Sequence, residues 1–356
     1  MAALRGNPLS HTVRAQRLAS QLLSGQPAGH PEEVAGHLLA VQAQDLRGAR
    51  LAVRARTAGL TGQDFDRCLA DRTLVISWLC RGTLHLVRAE DHFWLHDVTT
   101  PPLMAGCLRR LAQEGVSADQ SARATGLIAR WLAEDGPLTR NEIAARLRPT
   151  GIPVAGQALV HILFHATLEG LILRGPMKGS RQAFVLVHDW LGPRPPARDR
   201  RQALAELVHR YLIGHAPALE SDIGRWAGLP LRDIRTGLED TGELLERDKN
   251  GLLMLRRRVR APEPVAPRLL GAWDPVLVGW RDRTFVTGQY DADVVSGGLF
   301  RPFILLGDQV AGVWRIAGRA VTLEPFEALT EPDLAALERD AENVGRYLDL
   351  GGRDRA

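Results

Sequence analysis

With 356 residues and 45% hydrophobic content, the chain is long enough for two to four domains with sizeable cores. Its formal charge is only +4, but lysine occurs just at Lys178 and Lys249 and arginine supplies the rest of the positive charge. Cys68, Cys80 and Cys107 form no C-x-x-C pair and are odd in number, which excludes a disulfide framework and a cysteine zinc site. No apolar run approaches the length of a membrane span, and Met1 to Pro8 lacks the apolar core of a secretory leader, so a cytoplasmic protein without membrane contact is expected. Arginine presents a planar fork of donors suited to phosphate and base edges, and its dominance predicts a nucleic-acid partner.

In chain order, Leu9 to Leu23 reads as an amphipathic helix with Ser10 as N-cap, and Pro31 to Leu39 as a second helix. Val41-Gln42-Ala43-Gln44-Asp45 follows. Side chains at i and i+2 diverge by roughly 200° on a helix but share one face of an extended segment, so Gln42 and Gln44 converge only if the helix has stopped. Such an amide pair suits a water or a developing positive charge, and equally suits a polar helix exit. Leu46 to Arg56 is the third helix, and Thr73 to Cys80 with Thr83 to Val87 form two strands around Arg81-Gly82.

A repeat then appears. Pro137, Glu142 and Ile143 align with Pro217, Asp222 and Ile223, each set opening a short helix. The first copy has helices near 121–134 and 155–169 and a hairpin of 170–174 with 183–187. The second has helices near 200–213 and 230–240 and a hairpin of 244–247 with 252–255. His161 and His165 share a helix face in the first copy, but Ile162-Leu163-Phe164 between them lacks the glutamate of a zinc-protease helix, so no metal and no cofactor is expected.

Three helices followed by a hairpin describe a winged helix-turn-helix, and the chain divides into 1–115, 116–192 and 193–260. Joints fall at Leu191 to Arg198 and at Arg260 to Pro267. The remaining 261–356 is β-rich, with strands at 276–280, 284–287, 303–306 and 310–316 and a closing helix from Glu331 to Leu348. The fold class is α+β. Trp78, Trp273, Trp280 and Trp314 sit in strand-like patterns and are expected in the core.

Gln42-Ala43-Gln44, the hairpin Arg81-Gly82-Thr83-Leu84-His85-Leu86-Val87 and the later run from Trp273 to Arg283 together resemble the AlkZ-like winged-helix DNA glycosylases. The resemblance covers nearly the whole chain. It implies tandem winged helices around a concave face and excision of N-alkylated purines from duplex DNA, including guanines crosslinked by natural products. The family's catalytic motif falls on Gln42, Ala43 and Gln44. A second glutamine in place of aspartate points to the AlkZ-type branch, associated with self-resistance, over the YcaQ-type branch. Asp45 adjoins the motif and would act as a general base if a carboxylate were the active group.

A guanine alkylated at N7 is cationic and leaves as a neutral base, so strong acid catalysis is unnecessary. What remains is to hold a water and to stabilise an oxocarbenium-like sugar. Water positioning falls to Gln44 and sugar-charge stabilisation to Gln42. No lysine adjoins the motif in sequence, which predicts a monofunctional enzyme without lyase activity. DNA contacts are expected from Arg50 and Arg54 at i,i+4, from Arg81 on the first wing and from Lys178 and Arg181 on the second. Arg281 and Arg283 join them on a loop that the resemblance places near the lesion. The protein is expected to act as a monomer, and the competing reading is a non-catalytic DNA-binding regulator or architectural protein.

Overall fold

Ser10 caps the first helix, His11–Ser20, by accepting the Val13 N–H at 3.3 Å. This is a computed structural model describing residues 10–256 and 263–351, so the expected start at Leu9 and residues 260–262 of the second joint lie outside the described residues. The second helix, Pro31–Leu38, opens on proline with Glu32 and Glu33 in its first turn, both favourable at a helix N-terminus. Leu39 then takes φ +65°, the helix ends, and strand Val41–Gln42 leads to helix Leu46–Arg54.

Strands Leu74–Trp78 and Leu84–Arg88 form the first hairpin as expected. In this first region the helices Gly62–Ala70, Ala89–Thr99 and Met104–Gln113 escaped the sequence reading. The first had a readable signature, Thr61 and Asp64 forming a capping box.

The middle region contains helices Ala118–Asp135, Arg140–Leu147 and Ala158–Leu168, then strands Ile172–Lys178 and Arg181–Leu186. Its turn is tighter than expected. A register shift between Arg174 and Met177 absorbs Gly175-Pro176, and the chain reverses at Gly179, φ +63°. The third set has helices Arg200–His215, Glu220–Ala227 and Leu231–Thr241 with strands Leu245–Arg247 and Leu253–Leu255.

The first two hairpins are parts of a single sheet. Its six strands run Val41–Gln42, Leu84–Arg88, Leu74–Trp78, Ile172–Lys178, Arg181–Leu186 and Leu138–Thr139, with Ile76 opposite Arg174 at the seam. Alternation along the strands sends Val41, Ile76, Trp78 and Leu86 into one core with Ile128, Leu163 and Phe184. Val75, Leu79 and Val87 face the other way, into a core with Leu207, Tyr211 and Trp226 of the third set.

Beyond residue 263, strands Ala320–Pro325, Gln309–Ala317, Phe303–Leu306 and Arg268–Leu270 form an antiparallel sheet in that order. Helix Glu331–Tyr347 packs on it through Leu337 and Val344, beside Leu51. Two expected strands here are helical turns, Pro275–Val278 and Thr284–Thr287. Asp274 accepts the Val276 N–H at 3.0 Å and Pro275 pre-sets a helical φ, so capping overrides the β-branched run. Among the described residues no helix is long and apolar enough to cross a membrane.

Two contacts fix helix Leu46–Arg54 against this segment. A Cβ on Gly48 would lie 2.3 Å from the Ala272 carbonyl oxygen, so only glycine permits the approach. Arg56 and Asp274, both fully buried, pair at 2.8 Å.

His85, His92 and His215 are buried and neutral, burial pushing each down to about 3. The unfolded chain takes up these protons near the ordinary histidine value of about 6.5, while the folded chain resists until about 3. Stability present above pH 6.5 is therefore lost as pH falls toward 3, by about 1.4 kcal/mol per pH unit for each histidine. Urea midpoints should fall steeply from pH 7 to 5 and recover part of the loss in His92→Asn.

Candidate active site at the Gln42 corner

The corner is extended, the condition under which the two glutamines at i and i+2 can share a face. Val41 pairs with Leu86 and Gln42 with His85, and the Ala43 N–H donates to the Leu84 carbonyl at 2.7 Å. Ala43 is buried with the sheet's second-region core, so its neighbours Gln42 and Gln44 project toward the opposite face. Gln42 is 4% exposed and its Oε1 accepts from Arg81 Nη2 at 3.1 Å. Gln44 is exposed, and its Oε1 accepts the Leu84 N–H at 3.3 Å. Both carboxamide oxygens thus meet donors on the 81–84 segment.

Asp45 caps helix Leu46–Arg54, its oxygens accepting the Arg47 and Gly48 N–H groups at 3.1 and 3.2 Å. The carboxylate beside the motif ends one element and starts the next.

Arg81 is not a wing tip. It sits at φ +59° in a tight turn, donating to Gln42 and to the Trp226 carbonyl of the third helix set. A Cβ on Gly228 would lie 2.8 Å from the Arg81 nitrogen, so the end of helix Glu220–Ala227 presses on this turn. Burial lowers the Arg81 pKa, and Arg225 acts in the same direction.

His85 is the site residue the sequence reading passed over. It lies directly across the strands from Gln42, with Ser77 opposite it on the other side, so the three side chains share one face. Its Nδ1 donates to the Thr83 carbonyl at 2.9 Å, which leaves Nε2 as a bare acceptor, buried without a partner. Strict alternation through Leu84-His85-Leu86 was the available signal.

The proposed DNA contacts divide. Arg54 is buried, donating to Asp340 at 2.7 Å, the Leu269 carbonyl at 2.6 Å and Asn343 at 3.0 Å, so it ties its helix to the C-terminal segment. Arg50 pairs with Asp66 and lies over Phe65 at 5.7 Å. Their i,i+4 spacing holds, but the side of the helix they share is covered by helix Glu331–Tyr347 rather than open. Lys178 reaches Glu142 at 2.7 Å across the second hairpin, while Arg181 stands exposed beside the turn. Arg283 pairs with Asp291 at 2.9 Å, and the exposed Arg281 holds its loop through its backbone N–H to Asp222 at 3.0 Å.

Beside that loop, a short hairpin of Val295–Ser296 and Leu299–Phe300 carries Leu299 75% exposed. Phe300 packs on Trp273 with ring centres 4.0 Å apart. Trp78, Trp280 and Trp314 are buried as expected, whereas Trp273 is only half-buried, at φ +62°.

A family model described as "DNA glycosylase AlkZ-like" matches residues 35–347, an interval containing every residue of this corner. A Streptomyces sahachiroi protein named interstrand DNA cross-link repair glycosylase is 28% identical, the match covering 94% of this chain and 95% of that one. The solved structure of Streptomyces sahachiroi DNA glycosylase AlkZ matches with a TM-score of 0.75 at 25% identity, over 95% of this chain and 96% of that one. The chain belongs to the AlkZ-like DNA glycosylase family.

Proposed function

We propose that this protein hydrolyses the N-glycosidic bond of N7-alkylated guanine in duplex DNA, bulky and crosslinked adducts included, and that it serves repair or self-resistance against a DNA-alkylating natural product. The observation that carries the reading is the extended corner, which aims two carboxamides to one side of the sheet with both oxygens held by donors of the facing segment. The similarity to a cross-link repair glycosylase supports the substrate class.

Gln44, exposed and without a charged partner among the described residues, is assigned the water. Its carbonyl accepts a hydrogen bond from the water O–H and aims the oxygen at the sugar as the base departs, and the proton is lost to solvent once the new C–O bond has formed. Gln42 is assigned the sugar. Arg81 takes one lone pair of its oxygen and fixes the rotation of the amide, leaving the second lone pair for the developing oxocarbenium charge. Neither amide titrates, so the chemical step should not follow a carboxylate or histidine ionisation. Lys178 is engaged by Glu142 and Lys249 lies in the turn of the third hairpin, so neither offers an amine at the corner. The expected product is an intact abasic site.

Duplexes carrying one 7-methylguanine or one bulky N7 adduct test the reading. Released base should appear by mass spectrometry from at least the bulky adduct, with the strand uncut until alkali is added. Binding to both duplexes without release of either base would favour a regulator instead.

A further inference from the structure

His85 faces Gln42 directly across the strands. Ala43 bonds back to Leu84 one step along, so Gln42 and His85 fall between backbone hydrogen bonds, the antiparallel position at which facing side chains come closest. The imidazole is enclosed, its Nδ1 is committed to the Thr83 carbonyl, and Nε2 is an acceptor with no donor. Other enclosed histidines differ. His96 uses both ring nitrogens, on the Thr167 carbonyl and the Thr100 hydroxyl, and His165 Nδ1 meets the Ser121 hydroxyl. His92 and His215 each leave one nitrogen bare, but rings pack on them: Phe93 and His96 on the first, Tyr211, Trp226 and Trp280 on the second. The neighbours of His85 across the strands are polar, Gln42 on one side and Ser77 on the other.

A buried acceptor left bare costs stability until a donor reaches it, and Gln42 carries two N–H groups. Arg81 donates to Gln42 Oε1 at 3.1 Å, which fixes the oxygen end of the amide, while among the described residues no acceptor takes the Nε2–H groups. The Ser77 hydroxyl is already engaged by His92 Nε2 at 3.2 Å. A carboxamide held only at its oxygen can still swing about its last bonds. Turned over, it would present N–H groups to a sugar gaining positive charge and set its oxygen against the lone pair of the bare nitrogen. His85 in this tautomer opposes that orientation.

We infer that His85 is a positioning residue for the excision step: in the DNA complex its Nε2 accepts from a Gln42 carboxamide N–H, so that Arg81 and His85 grip the two ends of the amide and the free lone pair of Oε1 stays on the sugar. This rests on the glycosylase reading above and adds the group that holds Gln42 in its working orientation. Contacts of this kind tighten when the substrate arrives.

The test is single-turnover excision of an N7-guanine adduct, with binding to an uncleavable duplex measured in parallel, for wild type, His85→Leu, His85→Gln and Ser77→Ala, and for His85→Leu in the Gln42→Ala background. Leucine fills the space of the ring without an acceptor, whereas the glutamine oxygen reaches the place of Nε2. His85→Leu should slow excision about tenfold, the worth of one hydrogen bond, with binding nearly unchanged. His85→Gln should recover most of the rate, and Ser77→Ala should keep it. Without Gln42 there is no amide to hold, so His85→Leu should cost nothing further in the Gln42→Ala background. A histidine that only supports the sheet would cost the same in both backgrounds and would not be rescued by glutamine. Either result overturns the role, as does a wild-type rate in His85→Leu or an equal loss in Ser77→Ala. If wild type releases no base, the glycosylase reading has failed. In that case, or if His85→Leu does not fold, the imidazole nitrogen NMR signal of His85 Nε2 decides. A shift on adding the uncleavable duplex to wild type, absent in Gln42→Ala, supports the contact; a signal unmoved in wild type, or moved equally in both, overturns it.

Discussion

Replacing Gln44 by alanine should slow single-turnover excision of an N7-alkylated guanine by about 30- to 1,000-fold, equivalent to ~2–4 kcal/mol of lost transition-state stabilisation. Gln44 is the exposed member of the pair, and among the described residues its side chain is held by the 3.3 Å bond from Leu84 N–H. Its removal leaves the strand pairing of Val41 and Gln42 intact, and Ala43 still donates to Leu84. Binding to an uncleavable, product-like duplex should therefore stay within a few-fold of wild type. Weakened binding with an unchanged rate would make Gln44 a DNA contact instead of a reacting-centre group. Gln42→Ala should also slow excision, but that variant leaves Arg81 facing a void and its stability must be measured alongside.

The largest effect on stability is expected at Asp274. Its carboxylate and the Arg56 guanidinium are fully buried and meet through two bonds of 2.8 and 2.9 Å. Arg56 also donates to the carbonyls of Gln21 at 2.7 Å and Ala52 at 2.9 Å, so the pair joins the first helix, the helix after the motif and the start of the C-terminal segment. Asp274→Asn keeps the shape but leaves a buried guanidinium without its counter-charge, which costs about 3–5 kcal/mol. The urea midpoint should drop accordingly, whereas Arg281→Ala on the surface should move stability by no more than about 0.5 kcal/mol. A midpoint for Asp274→Asn equal to wild type would show that the pair does not hold the segment in place.

Local rules made the helical framework readable. Ser10, Pro31 and the repeated proline-acid-isoleucine starts each announce a helix by capping chemistry, and each helix is there. At Gln42 and Gln44 the spacing gave only a condition, that two like side chains at i+2 converge if the helix has stopped, and the strand pairing of Gln42 with His85 meets it. The fusion of two hairpins into one sheet was not legible. It depends on Ile76 meeting Arg174, a long-range pairing that no local period encodes. The different settings of the arginines were not legible for a related reason. Arg54 and Arg181 look equivalent along the chain, and only the helix Glu331–Tyr347, folded back over the first, turns one into a buried strut and leaves the other in solvent. Arg81 was misplaced because its turn reads as a wing tip until the third helix set closes over it.

The most direct test of the catalytic corner is single-turnover excision by the Gln42→Ala and Gln44→Ala variants and the double variant on one duplex with a bulky N7-guanine adduct. If the two amides act as one unit on water and sugar, the double variant should be hardly slower than the worse single variant, and all three should still bind the duplex. Wild-type rates of base release from the folded double variant would contradict the account.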